Sequence, residues 1–451
     1  MAKRSLAVVL AGGLIVMAGV LGCSNSTEPG GSDETDAYSA EVATEWFVLV
    51  NTLIDNESFT PPRASRLLGY GGVALYEGVV SGMPEYQSLV GQLNDLDLLP
   101  KATDPPYHWP AVANAALATV FRGMFEGTTG ATQDALDDLE ADNTGQFEED
   151  GVDDDVLARS IAYGQSIGLA VLEWSRRDGY ATLHDCAGYA PSGELGKWEP
   201  TPPANAPALE PCWGDLRAFV LDNGGVCDPG PPPVFSTDPL SAFWIEAQEV
   251  FDVASNLTAE QLEIAQFWAD GASTLTPPGH SISIATQVLE MEDASLALAA
   301  ETYAKVGMAV ADAFIGCWWS KFEYDLIRPI SCIRDEIDPA WLSPIGTPPF
   351  PEYTSGHSTQ GGAASEVLTD LFGDDYAFTD HTHDATSPSR SFDSFYEAAD
   401  EAAISRLYGG IHFRTAIELG VEQGRCIGGH VNALHFAVEV PVAKRVIASN
   451  Q

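Results

Sequence analysis

The chain has 451 residues, 45% hydrophobic and 19% charged. That is enough apolar material for a large core, and it excludes a disordered or collagen-like polymer. Against 65 acidic residues stand 21 basic ones, a net charge of -44, and so negative a surface repels phosphate backbones and anionic lipid, which excludes nucleic-acid binding. Only six of the basic residues are lysines, and an acid-rich, lysine-poor surface suits concentrated salt.

Residues 1–22 read as an export signal. Lys3 and Arg4 give a positive start, and Ser5 to Gly22 is an uncharged, largely apolar run too short for a comfortable membrane span. The run ends in Val20-Leu21-Gly22-Cys23, which resembles a bacterial lipobox, with Cys23 as the lipidated residue; an ordinary cleaved signal is the alternative. The expected location is outside the cytoplasm, lipid-anchored to the bacterial outer membrane and facing the periplasm or the cell surface. Residues 23–40, rich in Ser, Gly, Asp and Glu, read as a flexible tether, and residues 41–451 as the folded body. Six further cysteines, Cys186, Cys212, Cys227, Cys317, Cys332 and Cys426, allow one to three disulfides in an exported chain. Their pairing is open, although Cys212 and Cys227 bracket a Gly/Pro-rich segment that a short bridge would staple. No C-x2-C pair points to a zinc site.

Apolar residues recur at three- and four-residue spacing from Pro61 to Val80, where prolines open the first turn, and again over Ala111 to Met124, Val156 to Trp174, Leu240 to Val253 and Thr258 to Ala269. The longest such run, Ser283 to Trp319, holds no proline and predicts a central helix. Tyr180 to Pro239, crowded with Pro, Gly and Cys, predicts a long covering loop or a linker between helical halves. Alternating strands with Asn-Gly turns are missing, so the expected fold class is all-α.

Three short segments carry the chemistry. In Lys321-Phe322-Glu323-Tyr324-Asp325-Leu326-Ile327-Arg328-Pro329, a continuing helix would place Lys321 and Arg328 two turns apart on one face, with Pro329 helping to end it. In Thr354-Ser355-Gly356-His357, the helical pattern that follows from Ala363 makes a hydroxyl, free N–H groups and a helix N-terminus converge beside an imidazole. In Ser405-Arg406-Leu407-Tyr408-Gly409-Gly410-Ile411-His412, a glycine pair separates an arginine from a histidine and lets backbones approach closely. Each segment alone also fits surface charges, an ordinary cap or a core histidine. Together they concentrate positive charge and two imidazoles in a very acidic protein, which suits a tetrahedral oxyanion with several negative oxygens.

The order K-x6-RP, SGH, SR-x5-H resembles the superfamily that unites vanadium-dependent haloperoxidases with type-2 phosphatidic acid phosphatases and bacterial acid phosphatases. Trp198-Glu199-Pro200-Thr201-Pro202-Pro203 and Trp213-Gly214 are similar to the bacterial haloperoxidase branch. The resemblance implies a helical fold around two four-helix bundles. It implies a vanadate cofactor held by Lys321, Arg328, Ser355, Gly356 and Arg406, with His412 as the metal ligand, His357 as the acid-base group and Lys321 polarising the peroxide. The implied reaction oxidises iodide, bromide or chloride with hydrogen peroxide to hypohalous acid, with small organic acceptors downstream. Trp318 and Phe350 stand where chloro- and iodoperoxidases resemble each other, and are candidates for the halide pocket.

The enzyme alternative is a histidine-nucleophile acid phosphatase of the same superfamily, and a reading from another class is a lipoprotein that only binds phosphate or vanadate. The phosphatases carry an Asp four residues after the third-motif His, where this chain has Ala416, and the compact acid phosphatases are about half as long; both features favour the haloperoxidase. Two departures stand out: Thr354 replaces the usual proline, which is expected to loosen the cradle loop, and Ala416 leaves open which carboxylate orients His412. Outside the motifs, Asp380-His381-Thr382-His383-Asp384 has metal-ligand residue types but reads as a solvated loop, and Glu148 to Asp155 misses calcium-loop spacing and reads as acids before a helix. His280 reads as a residue capping the approach to the long helix, with a place near the pocket mouth as the alternative.

Overall fold

A computed structural model describes residues 34–438 apart from 104, 185, 187, 272 and 273. The export signal, Cys23 and most of the expected tether lie outside the described residues. Fourteen α-helices are present among those described: α1 (Glu41–Asn56), α2 (Pro61–Val79), α3 (Trp109–Met124), α4 (Gly130–Glu149), α5 (Asp154–Ser175), α6 (Tyr180–Leu183), α7 (Ala242–Ser255), α8 (Ala259–Phe267), α9 (Thr276–Met291), α10 (Leu296–Tyr324), α11 (Pro329–Glu336), α12 (Gly356–Phe372), α13 (Phe395–Tyr408) and α14 (Arg414–Asn432). One antiparallel ribbon, β1 (Phe378–Asp380) with β2 (Arg390–Phe392), places Phe378 opposite Phe392. The fold is all-α, and among the described residues no helix is long and apolar enough to cross a membrane.

The 29-residue α10 is buried over most of its length and packs directly on α2 and α9 and on α12 and α14; α2 in turn carries α3 and α5, and α12 carries α13, so α10 is shared by two helical groups. Small residues set these crossings. A Cβ at Gly72 would overlap the Tyr303 carbonyl, and one at Gly424 would overlap the Thr359 carbonyl, so the α2–α10 and α12–α14 pairs approach backbone to backbone.

Local chemistry corrects two sequence expectations and bears out a third. The long central helix is two helices, because Asp293 turns the chain at φ 48° and the Ser295 hydroxyl caps α10 by accepting from the Leu298 N–H. The body begins before residue 41: Thr35 is buried and donates to the Val79 carbonyl at 3.0 Å, and Ala40 N–H bonds the Ala294 carbonyl. The acids expected before a helix do stand at the start of α5, where Asp153 caps it by accepting from the Asp155 and Val156 N–H groups and Asp154 and Asp155 lie in its first turn, while Glu148 and Glu149 end α4.

The Gly/Pro-rich segment after α6 is a cover. Its Phe219, Val220 and Leu221 N–H groups all donate to the buried Asp312 carboxylate in the middle of α10. Two disulfides hold it, Cys186–Cys212 and Cys227–Cys426, while Cys317 and Cys332 are buried thiols. The short Cys212–Cys227 staple is therefore not formed; Cys227 reaches α14 instead.

Candidate active site

Lys321 and Arg328 meet, but not along one helix. Tyr324 ends α10, Asp325 takes a left-handed conformation at φ 50°, and Arg328 is the extended N-cap of α11, which Pro329 opens rather than ends. Lys321 Nζ donates to the Pro351 (3.1 Å), Glu352 (3.0 Å) and Thr354 carbonyls. Arg328 donates through Nε to the Phe350 carbonyl (2.7 Å) and through Nη1 to the Ile411 carbonyl (2.9 Å), and Nη1 lies 3.2 Å from His412 Nε2. Its Nη2 is buried with no hydrogen-bond partner among the described residues. Burial pulls Lys321 down to about 8 and Arg328 to about 10. The Phe350 ring sits 5.0 Å from Lys321 Nζ and 4.8 Å from the Arg328 guanidinium, with Trp318 packed 4.8 Å behind it.

Ser355 caps α12, accepting from the Ser358 N–H at 3.3 Å, and its own N–H donates to the Ala416 carbonyl at 3.0 Å. As the first helical residue, Gly356 has an N–H with no acceptor inside its helix. Gly356 and His357 are partly buried, whereas Lys321, Arg328, Ser355, Arg406 and His412 are buried, so these two are the most solvent-accessible residues of the site. His357 Nε2 lies 3.3 Å from Arg406 Nη1, and burial together with Arg406 holds its pKa well below the usual histidine value. Arg406 Nη2 donates to the Trp268 carbonyl and, at 3.4 Å, to the Ala265 carbonyl, both from the end of α8. Burial pulls this guanidinium down to about 10.

After α13 the chain turns at Gly410, φ 70°, and delivers His412 to the same cavity. Its Nδ1 lies 2.8 Å from Glu352 Oε1, an oxygen that also accepts from the Phe413 N–H at 2.8 Å. Burial, with Arg328 and Lys321 adding to it, lowers the His412 pKa well below the usual value. The neutral ring thus donates from Nδ1 and turns the Nε2 lone pair toward Arg328 Nη1 and the other cations of the site. Glu352 is the orienting carboxylate that sequence reasoning missed, though it stands three residues before Ser355. Burial pushes it up to about 8 against the pull of Arg328, and both bonds it accepts fall on Oε1 while Oε2 is unpartnered. Either protonation state therefore keeps His412 anchored.

The cradle loop is not loosened by Thr354. That residue is buried, and its hydroxyl donates to Gln423 Oε1 at 2.6 Å, while the Gln423 amide ties α14 to the Gly316 carbonyl of α10. The segment from Asp380 to Asp384 is not simply a solvated loop, since Asp380 is fully buried at the end of β1. His280 lies inside α9 and stacks on Trp268, so it adjoins the pocket wall rather than capping a helix.

A family model described as the VCPO second helical-bundle domain matches residues 301–438. The crystal structure of the first bacterial vanadium-dependent iodoperoxidase is 37% identical, with a TM-score of 0.83, covering 92% of this chain and 99% of that one. This chain belongs to the vanadium-dependent haloperoxidases. The vanadium chloroperoxidase of Curvularia inaequalis is 28% identical over 212 residues, which is 33% of this chain and 35% of that protein, so the match spans about a third of that relative's length. An apo-type bacterial vanadium-dependent chloroperoxidase shares the fold at 15% identity, with a TM-score of 0.62 over 82% of this chain and 91% of that one. Within the haloperoxidase family, therefore, the three motifs read from sequence converge on one pocket.

Proposed function

We propose that this haloperoxidase uses bound vanadate to oxidise halide with hydrogen peroxide, releasing hypohalous acid. The observation that carries the reading is the state of His412: Glu352 fixes its Nδ1, so Nε2 presents a lone pair, held here only by Arg328 Nη1 at 3.2 Å, beside an Arg328 Nη2 that has no partner among the described residues. A buried, unpartnered guanidinium nitrogen beside a neutral imidazole is a donor set that a multiply charged oxyanion satisfies, so the residues fit vanadate.

Arg328, Arg406, the Ser355 hydroxyl and the Gly356 N–H would hold the oxyanion, and His412 Nε2 would ligate the metal. Lys321 contributes charge; its three donors rest on carbonyls, so direct contact requires it to exchange one of them. Bound vanadate supplies a Lewis acid that needs no change of oxidation state. His357, neutral and among the more accessible residues of the site, accepts the proton that hydrogen peroxide gives up, with Arg406 beside it. Trp318 and Phe350 provide an apolar wall against the cations, the environment in which a large, weakly hydrated halide is held. Iodide, bromide and chloride are all candidates.

One observation favours a second reading. Glu352 gives His412 the carboxylate that a phosphohistidine mechanism needs, so Ala416 no longer counts against a phosphatase in which His412 attacks phosphorus and His357 protonates the leaving alcohol. The deciding experiment loads purified protein with orthovanadate and follows iodide, bromide and chloride oxidation by peroxide, with p-nitrophenyl phosphate hydrolysis by vanadate-free protein in parallel. Vanadate-dependent halide turnover that disappears in His412→Ala is expected. Phosphate release without halide turnover would establish the phosphatase.

We infer further that the enzyme is exported and lipidated at Cys23. The lipobox-like Val20-Leu21-Gly22-Cys23 and two disulfides, which persist in oxidising compartments, support this. Cys23→Ser is expected to move the protein from the membrane fraction to the soluble one.

A further inference from the structure

Four ionisable residues meet behind Trp268, the residue whose carbonyl takes Arg406. His280 stacks on the Trp268 indole with centroids 4.6 Å apart and an interplanar angle of 20°. Its Nδ1 lies 2.9 Å from Asp270 Oδ2 and its Nε2 2.7 Å from Asp380 Oδ2. His383 Nε2 lies 2.9 Å from the other oxygen of Asp270. The side chains of Asp270, His280 and Asp380 are at most 1% exposed, and that of His383 is 15% exposed. Asp380 Oδ1 also accepts from the Thr382 N–H at 2.9 Å and from Gln287 Nε2 at 3.4 Å, but among the described residues no Lys or Arg forms an ion pair with either aspartate, so imidazoles are the only cationisable side chains paired with these two buried carboxylates, an arrangement that calls for a cation.

We propose that Asp270, His280 Nδ1 and His383 Nε2 bind a divalent transition-metal ion of the zinc type, separate from the vanadate pocket. Three features of the geometry point there. The ligand atoms of these residues all lie within 4.8 Å of one another. The two imidazoles stand at 87° with centroids 4.9 Å apart, close to the separation of about 5 Å that two rings on one tetrahedral ion adopt with metal–nitrogen bonds of about 2.0–2.1 Å. Asp380 accepts from the far nitrogen of His280, the carboxylate–histidine–metal arrangement that fixes ring orientation and raises ligand basicity. With three protein ligands, the fourth position is left to water.

The ion would tie together the segment after α8, helix α9 and the turn after β1, which are distant in sequence. His280 stacks on Trp268, and His383 packs edge-on against the neighbouring Phe267, while the Trp268 carbonyl receives Arg406. Its role is to hold that wall of the pocket, and it shares no ligand with His412.

The test uses the purified protein, freed of metal by chelation and without vanadate. It is titrated with Zn2+ by calorimetry, and with Co2+ by its visible d–d absorption. One ion per chain, a four-coordinate cobalt spectrum and a raised melting temperature with zinc are expected. His383→Ala should abolish the cobalt spectrum, Asp380→Asn should weaken binding about 10- to 100-fold, and His412→Ala, expected to abolish turnover, should leave the cobalt spectrum and the zinc affinity as they are. His383 is partly exposed, so its truncation spares the core; if Asp270→Asn fails to fold, the His383 variant and the wild-type titration still decide. Indifference of the wild type to zinc, cobalt and chelator would overturn the proposal and leave a protonated His280 as the cation between the two aspartates. Stoichiometric binding that survives His383→Ala would overturn it as well.

Discussion

A single oxygen, Glu352 Oε1, receives both the His412 ring and the Phe413 N–H, and thereby decides which imidazole nitrogen faces the cavity. Removing that anchor in Glu352→Ala is expected to weaken vanadate binding about 10- to 100-fold. Glu352→Gln, whose amide oxygen can still accept both bonds, should retain most of the affinity; equal losses in an equilibrium-dialysis assay would show that charge, not anchoring, is what Glu352 contributes. Lys321 sets the pH dependence. Burial holds it at about 8, and a bound anion favours its charged form, so affinity for the oxyanion should fall as pH rises through that value. Vanadate affinity that stays flat between about pH 7 and about pH 9 would count against any part for the lysine charge. At this scale the motif residues were legible in sequence because cations, an N-capping serine and two histidines recur at fixed spacing. Glu352 was not: its partner lies 60 residues away, and only folding shows which of many acids reaches it.

The helices deliver these residues, and their packing leaves little slack. Gly424 on α14 lets the backbone of α12 pass, and the atom that an added Cβ would meet is the Thr359 carbonyl, which cannot swing aside as a side chain would. Gly424→Ala is therefore expected to destabilise by about 1–3 kcal/mol despite alanine's better helix propensity, read as a lower urea midpoint at unchanged slope. Periodicity located α2, α3, α5, α7 and α8 to within a few residues; the first four show the core an apolar stripe, while α8 buries only Ile264, Ala265 and Phe267 near its end. It failed at α4, where little more than Leu136 and Phe147 face inward from a largely acidic helix, and at the break around Asp293, where a cap ends one apolar run and starts another without proline or glycine. The route from Lys321 to Arg328 was misread for a related reason. Asp325 in a left-handed turn leaves no periodic trace, yet it brings both cations to the same place by a different path.

Over the whole molecule, the net charge of -44 is self-repulsive, and screening should relieve it. Raising potassium chloride from about 0.05 M to about 1 M shortens the screening length to about 3 Å, and the melting temperature is expected to rise with it. A fall would mean that attractive surface pairs outweigh the repulsion. The Cys227–Cys426 bond spans 199 residues, and Lys321, Arg328, Ser355, His357, Arg406 and His412 all lie between its two ends. These residues thus ride on a closed covalent circuit. A single protease cut inside it, for instance at the exposed Ala385 between β1 and β2, opens the circuit without releasing a piece: the nicked molecule should run as one band until the disulfide is reduced, and only then as two.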